Sequence, residues 1–201
     1  MYSSSLFQIP AAFDNAKSTL DETTRHVLYF LQMKSPLLYE HSIRVSNNAG
    51  AIAVRMKLPV NEVTMIRYAG LLHDAGLIGV PNSLLNKIPY LSTREIQLYK
   101  KHPDLGANML ESIPACQDII PYIRFHHERW DGAGYPKHLK NVNIPFGARI
   151  IAVADYYDAN IHSNSEFREK TKKESIRRIF SCSGILFDPE IIHEFVEILN
   201  H

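Results

Sequence analysis

The chain has little that would mark it as secreted, membrane-embedded or nucleic-acid-binding. There are two cysteines, Cys116 and Cys182, in 201 residues. Two cysteines build neither a disulfide framework nor a thiolate metal site, and they suit a reducing compartment. No apolar stretch approaches the ~20 residues of a membrane span. No basic start followed by an apolar run is present, so a signal peptide is not expected. The formal net charge is +1, from 22 basic and 21 acidic residues. The signs are interspersed, so no basic field supports binding to long nucleic acid. Lys100-Lys101, Lys172-Lys173 and Arg177-Arg178 are short pairs that read as solvated helix faces. Period-two strand patterns are scarce, and neither an internal repeat nor a low-complexity tract occurs. These absences leave a cytoplasmic, all-α chain as the expectation.

Helical signals fill most of the length. Expected helices lie near residues 21–34, 37–57, 61–76, 92–101, 103–112, 117–129, 145–161, 171–182 and 188–200, with a short turn near 82–86. Ser92 with Glu95, and Thr171 with Glu174, have capping-box spacing. Asp188-Pro189 places a good cap before a proline at the first helical position. Residues 1–35 read as an N-terminal helical extension and 36–201 as the main domain. Ser3-Ser4-Ser5 and Pro10 argue for a loose start, while Leu6, Phe7, Ile9 and Phe13 argue for docking. An exposed apolar face there would suggest a homodimer.

What is present in quantity is histidine on apolar helix faces. His41 falls on the stripe Leu38, Val45, Ala49, Ile52, Met56. Val63, Ile66 and Gly70 lead to His73; Ile119 and Ile123 lead to His126, with His127 beside it; Ala148, Ile151 and Ala152 lead to Asp155. Stripes of this period face a core. An unpaired buried polar group costs about 1–3 kcal/mol, so a single inward histidine is usually a satisfied core residue. Five histidines (His41, His73, His102, His126, His127) with Asp74 and Asp155 are hard to satisfy by hydrogen bonds alone. Metal ions would satisfy them together. After the histidine pair comes a connection from Asp131 to Pro145, long for a compact helical domain and placed to line a cleft. Tyr135 could wall that cleft and reach a phosphate or base with its hydroxyl. Trp130 is expected to pack under the loop, and Glu128 with Arg129 to form a surface pair. His26, His138, His162, His193 and His201 read as exposed or ordinary.

These residues resemble the HD-GYP branch of the HD-domain phosphohydrolases. The matching segments are Glu40-His41-Ser42-Ile43-Arg44-Val45, Ala69-Gly70-Leu71-Leu72-His73-Asp74 and Lys101-His102-Pro103-Asp104-Leu105-Gly106. They continue with His126-His127-Glu128-Arg129-Trp130-Asp131-Gly132-Ala133-Gly134-Tyr135-Pro136, Ile144-Pro145, Arg149 to Asp155, and Phe187-Asp188-Pro189. The resemblance implies a helical bundle around a binuclear metal site and a phosphodiesterase that opens cyclic di-GMP to the linear dinucleotide. His41, His73, Asp74 and Asp155 would hold one ion and Asp74, His102, His126 and His127 the other, with Asp74 bridging. His73 and Asp74 would be central to catalysis, and Tyr135, Gly134 and Arg168 would contact substrate. A hydroxide shared by the two ions would attack phosphorus. Imidazole and carboxylate ligands suit several transition metals, and the family favours iron or manganese.

Three positions depart from the pattern. A lysine usually follows the His-Asp pair and reaches a substrate phosphate; here the residue is Leu77, expected beside the cleft one helical turn after His73. A glutamate that would support a third metal is replaced by Leu37. The usual Arg-Pro-Tyr-Arg reads Ser165-Glu166-Phe167-Arg168. Arg44, Lys87, Arg129 or Arg168 could supply the missing charge. The alternative is a degenerate module that binds a nucleotide or a signalling partner with little turnover. A nucleotide or phosphomonoester hydrolase of the wider superfamily is a lesser option, against which the Gly-Tyr-Pro loop argues.

Overall fold

The computed structural model describes residues 15–88, 90–162 and 172–200. Ten α-helices are formed among them: α1 (Asn15–Lys34), α2 (Pro36–Arg55), α3 (Val60–Leu72), α4 (Asn82–Leu85), α5 (Thr93–Tyr99), α6 (His102–Leu110), α7 (Ile120–Phe125), α8 (Phe146–His162), α9 (Lys172–Ser181) and α10 (Pro189–Asn200). The only β-pairing among the described residues is an isolated bridge between Ser183 and Phe187, so the all-α expectation holds.

Helix α2 is the centre of the bundle, lying against α3 on one side and α8 on another. Its buried residues, Ser42, Val45, Ser46, Ala49, Gly50, Ile52 and Ala53, make a face of small and β-branched side chains that lets neighbours approach closely. In α8, Ala148, Ile151, Ala152 and Ala154 are buried as well. Leu20, Val27 and Leu31 of α1 are buried in the same core, and Lys34 at its end donates to the carbonyls of Ile78 and Val80. Phe30, Met33 and Leu37, near the α1–α2 corner, are exposed.

Two helices are shorter than their periodicity implies, and both end at the residues of interest. Helix α3 stops at Leu72, with His73 as its cap, and a 3₁₀ turn spans Ala75–Gly79. A side chain at Gly76 would collide with the His102 carbonyl oxygen, so glycine there lets this turn press against the start of α6. Helix α7 covers only Ile120–Phe125 of the expected 117–129, and His126 caps it. The chain then turns, with the Glu128 amide donating to the Phe125 carbonyl at 3.0 Å. The capping box of Ser92 and Glu95 is formed, and the Asp188 carboxylate accepts from the Glu190 amide at 3.0 Å. Thr171, Ser165, Arg168, His201 and the residues before Asn15 lie outside the described residues.

Candidate metal centre

The seven side chains read from the sequence come from five helices or their ends and meet in one place. His41 comes from the second turn of α2, His73 and Asp74 from the end of α3, and His102 from the start of α6. His126 and His127 follow α7, and Asp155 lies in α8. Three overlapping groups have ligand atoms mutually within 4.8 Å: His41, His73 and Asp155; His73, Asp74 and His126; His102, His126 and His127.

Asp74 joins the groups. Its Oδ2 lies 3.8 Å from His41 Nε2 and 3.5 Å from His73 Nε2, while Oδ1 lies 3.2 Å from His102 Nε2. Each carboxylate oxygen therefore faces a different set of imidazoles. His41 Nε2 also lies 3.1 Å from Asp155 Oδ1, and His102 Nε2 lies 3.2 Å from His127 Nε2 and 3.5 Å from His126 Nε2.

The outer nitrogens explain why the inner ones point inward. His73 Nδ1 lies 2.8 Å from the Gly70 carbonyl, His102 Nδ1 2.8 Å from that of Tyr99, and His126 Nδ1 2.7 Å from that of Ile123. His41 Nδ1 lies 2.7 Å from Asp158 Oδ2. For His73, His102 and His126 the outer partner is a carbonyl, which accepts only, so it fixes the proton on Nδ1 and leaves the Nε2 lone pair directed into the cluster. His73 Nε2 is buried and has no hydrogen-bond partner, an arrangement whose cost a metal ion would remove.

The electrostatics agree with a cation-binding site. Burial opposes ionisation of Asp74, but His73, His102 and His41 hold its carboxyl well below the usual range. Asp155 is likewise held low against burial, chiefly by His41. Burial, then His127, His73 and His102, push His126 down, and burial with His102 lowers His127 to about 4. Both rings are thus neutral near pH 7, the form that donates a lone pair. His41 differs: burial would lower it, but hydrogen bonds to Asp155 and Asp158 raise it to about 10.

A cleft of about 360 Å³ opens beside the cluster, walled by His127, Tyr135, Asp155, Tyr156, Phe187 and Lys100. The Tyr135 ring stacks on His127, with centroids 4.9 Å apart and planes at 28°. Burial and the nearby carboxylates of Asp155 and Asp74 raise the Tyr135 hydroxyl above its ordinary range, so it is a neutral donor. Gly134 lines the same cleft. A side chain there would strike the backbone of His127, Glu128 and Arg129, so its first contribution is close packing of the loop.

Several expectations about neighbouring residues change. Glu128 does not pair with Arg129: its carboxylate is buried and accepts from the amides of Lys137 at 2.6 Å and Leu139 at 3.1 Å, pinning the loop. Arg129 pairs instead with Asp131. Leu77 does not continue a helix from His73; it is 1% exposed and packs with Val80 and Leu84 in a separate apolar cluster. Three of the cations considered as substitutes are engaged elsewhere or lie outside the described residues. Lys87 is 2.7 Å from Glu95, Arg129 is on Asp131, and Arg168 is not described. The fourth, Arg44, grips Asp158 at 2.6 Å and 3.0 Å. His162 is more than an ordinary surface residue, since its Nδ1 lies 3.0 Å from Asp158 Oδ1. The sequence alone assigns no role to Asp158, and in it Lys100 reads only as part of a solvated helix face. For Asp158 a signal existed: it stands three residues after Asp155 on the same helix face, among apolar neighbours.

A family profile described as HD domain matches residues 26–191. A cyclic di-GMP phosphodiesterase of Thermotoga maritima is 37% identical over 162 residues, covering 80% of this chain and 44% of that one. A 3'3'-cGAMP-specific phosphodiesterase of Vibrio cholerae is 30% identical, covering 96% of this chain and 38% of its own length. The chain thus spans less than half the length of these relatives. An HDG"Y"P protein of Bdellovibrio bacteriovorus has a similar fold, with a TM-score of 0.68 at 22% identity, covering 93% of this chain and 65% of that one. Among the described residues, no helix is long and apolar enough to cross a membrane.

Proposed function

We infer the function from family membership: the chain belongs to the HD-domain family, in its HD-GYP branch. It is read as a metal-dependent phosphodiesterase that opens a cyclic dinucleotide, cyclic di-GMP foremost, to the linear dinucleotide. Two relatives carry names for cyclic di-GMP and 3'3'-cGAMP phosphodiesterases, which favours this substrate class. The observation that carries the reading is Asp74, whose two oxygens face two different imidazole sets. In this reading His41, His73, Asp74 and Asp155 hold one divalent ion, and Asp74, His102, His126 and His127 hold a second. Nitrogen and oxygen donors without thiolate suit iron or manganese. Two unpaired cysteines, Cys116 and Cys182, accord with a cytoplasmic setting.

Bound there, such a metal pair supplies an acidified water and neutralises phosphoryl charge. The chain's own residues do the rest. Asp74 stays ionised, Nδ1 contacts hold His73, His102 and His126 in the donor tautomer, and Asp158 orients His41. Tyr135 closes one wall of the cleft and offers a neutral hydroxyl to a phosphate or base. Glu128 keeps the loop carrying Tyr135 at fixed height by binding two of its amides.

The test is anaerobic purification with iron or manganese, followed by a panel of cyclic dinucleotides with products separated by chromatography. Linear dinucleotide should accumulate, because a second cut requires the opened product to rebind with its new terminal phosphate held. Complete conversion to GMP in a single turnover would contradict this. Binding without turnover would favour the degenerate module, a reading that the apolar burial of Leu77 keeps open.

A further inference from the structure

The geometry points to Lys100 as the residue that holds the second phosphate of a cyclic dinucleotide, the one not being cut. This rests on the substrate class proposed above. The two phosphodiesters of such a ligand stand on opposite edges of a macrocycle, and each carries a negative charge. If the metal cluster meets one, the other lies farther out in the cleft. Out of reach of the cluster, that anionic phosphate would be held by a charge-assisted hydrogen bond from a cation there.

Among the described residues, the lysine and arginine at the cleft are Lys100 and Arg129. Arg129 is committed to Asp131 through Nε at 3.1 Å and Nη2 at 2.5 Å. Lys100 is exposed at the end of α5, and its Nζ lies 5.1 Å from the centre of the Tyr135 ring. That ring in turn stacks on His127. The ammonium therefore stands one aromatic ring out from the ligand cluster, where a second phosphate would come. A cation–π contact at an exposed site is weaker than a charge-assisted hydrogen bond, so a phosphate would draw the ammonium off the ring. The long stem of lysine permits the move without displacing α5.

The experiment compares the metal-loaded native protein with Lys100→Ala, Lys100→Arg and, as a control for net charge, Lys101→Ala. Steady-state kinetics are measured on cyclic di-GMP and on bis(p-nitrophenyl) phosphate, which has a single phosphate. Lys100→Ala should raise KM for cyclic di-GMP about tenfold, the scale of one charged hydrogen bond, with a smaller effect on kcat. Selectivity for the dinucleotide over the one-phosphate diester should fall in parallel. Lys100→Arg should recover most of the loss, and Lys101→Ala should match the native protein. Unchanged KM in Lys100→Ala, with native turnover intact, would overturn the role of Lys100 alone, as would an equal rise in Lys101→Ala. Native hydrolysis of the simple diester without binding or turnover of any cyclic dinucleotide would overturn the substrate reading, and this assignment with it.

Discussion

His41 Nδ1 lies 2.7 Å from Asp158 Oδ2, a contact between residues 117 positions apart in the chain. The opposite nitrogen of the ring faces Asp155 at 3.1 Å, one helical turn from Asp158 on α8. Two acids of one helix thus grip both edges of one imidazole. Arg44 completes the arrangement by binding both Asp158 oxygens, at 2.6 Å and 3.0 Å. Asp158 is 1% exposed, so its charge is compensated by these partners and His162.

Asp158→Ala should therefore weaken metal binding by about 10–100-fold, the usual effect of losing an outer partner of a ligating histidine. Elemental analysis after dialysis and kcat measurement check this. His162→Ala should leave metal content and activity near native, because Asp158 keeps both its Arg44 and His41 contacts. Equal losses in the two variants would refute the positioning role.

Asp74→Ala should remove both activity and metal, since one side chain serves both imidazole sets. A fall in kcat of at least about 100-fold is expected. The native protein should carry two ions per chain by elemental analysis. A stoichiometry near one in the native protein would count against a bridged pair.

Leu77→Lys should destabilise the fold instead of restoring a phosphate contact. The position is closed by Val80 and Leu84, and burying a charge without a partner there costs on the order of 3 kcal/mol. Denaturant unfolding measures the loss, and Leu77→Met should be nearly neutral. Native stability in Leu77→Lys, with tighter substrate binding, would show that the lysine escapes to the cleft.

Gly134→Ala should disturb the loop at its root. An added methyl meets the backbone of three consecutive residues, His127 to Arg129, and backbone cannot move aside as a flexible side chain can. A stability loss of about 1–3 kcal/mol and a raised KM are expected, read by thermal melts and kinetics. Ala133→Gly, at an exposed neighbour, should leave KM unchanged.

The cap of α5 should be acid-labile. Lys87, at 2.7 Å, and then Ser92 lower Glu95 from its ordinary 4.5 to about 2. A carboxyl lowered in the folded state contributes stability that is complete above its unfolded value and lost as pH falls through the folded one. Melting temperature should thus drop between about pH 4.5 and 2 more in the native protein than in Glu95→Gln. Parallel pH profiles for the two would refute the linkage.

The sequence by itself determined the helices, because apolar periodicity is a local property and α2, α8 and α10 each carry it over many residues. It singled out the candidate ligands as well: His41 and Asp155 lie on apolar stripes, and so many inward polar groups are hard to satisfy unless they share a site. The Gly-Tyr-Pro loop after His126-His127 was legible from its length and its place after the histidine pair. Tertiary structure decided what no local pattern encodes. Helix α3 ends at Leu72 where periodicity would carry it to Gly76, because the following turn packs on α6 at His102. That turn buries Leu77 and leaves the Asp74 carboxylate between two imidazole sets. Asp158 meets His41 only because α2 and α8, far apart in the chain, pack side by side, and Lys100 meets Tyr135 only because the loop after His127 comes back to the end of α5. A residue's period tells which face it occupies; the partner waiting on that face is chosen by the packing of the whole bundle.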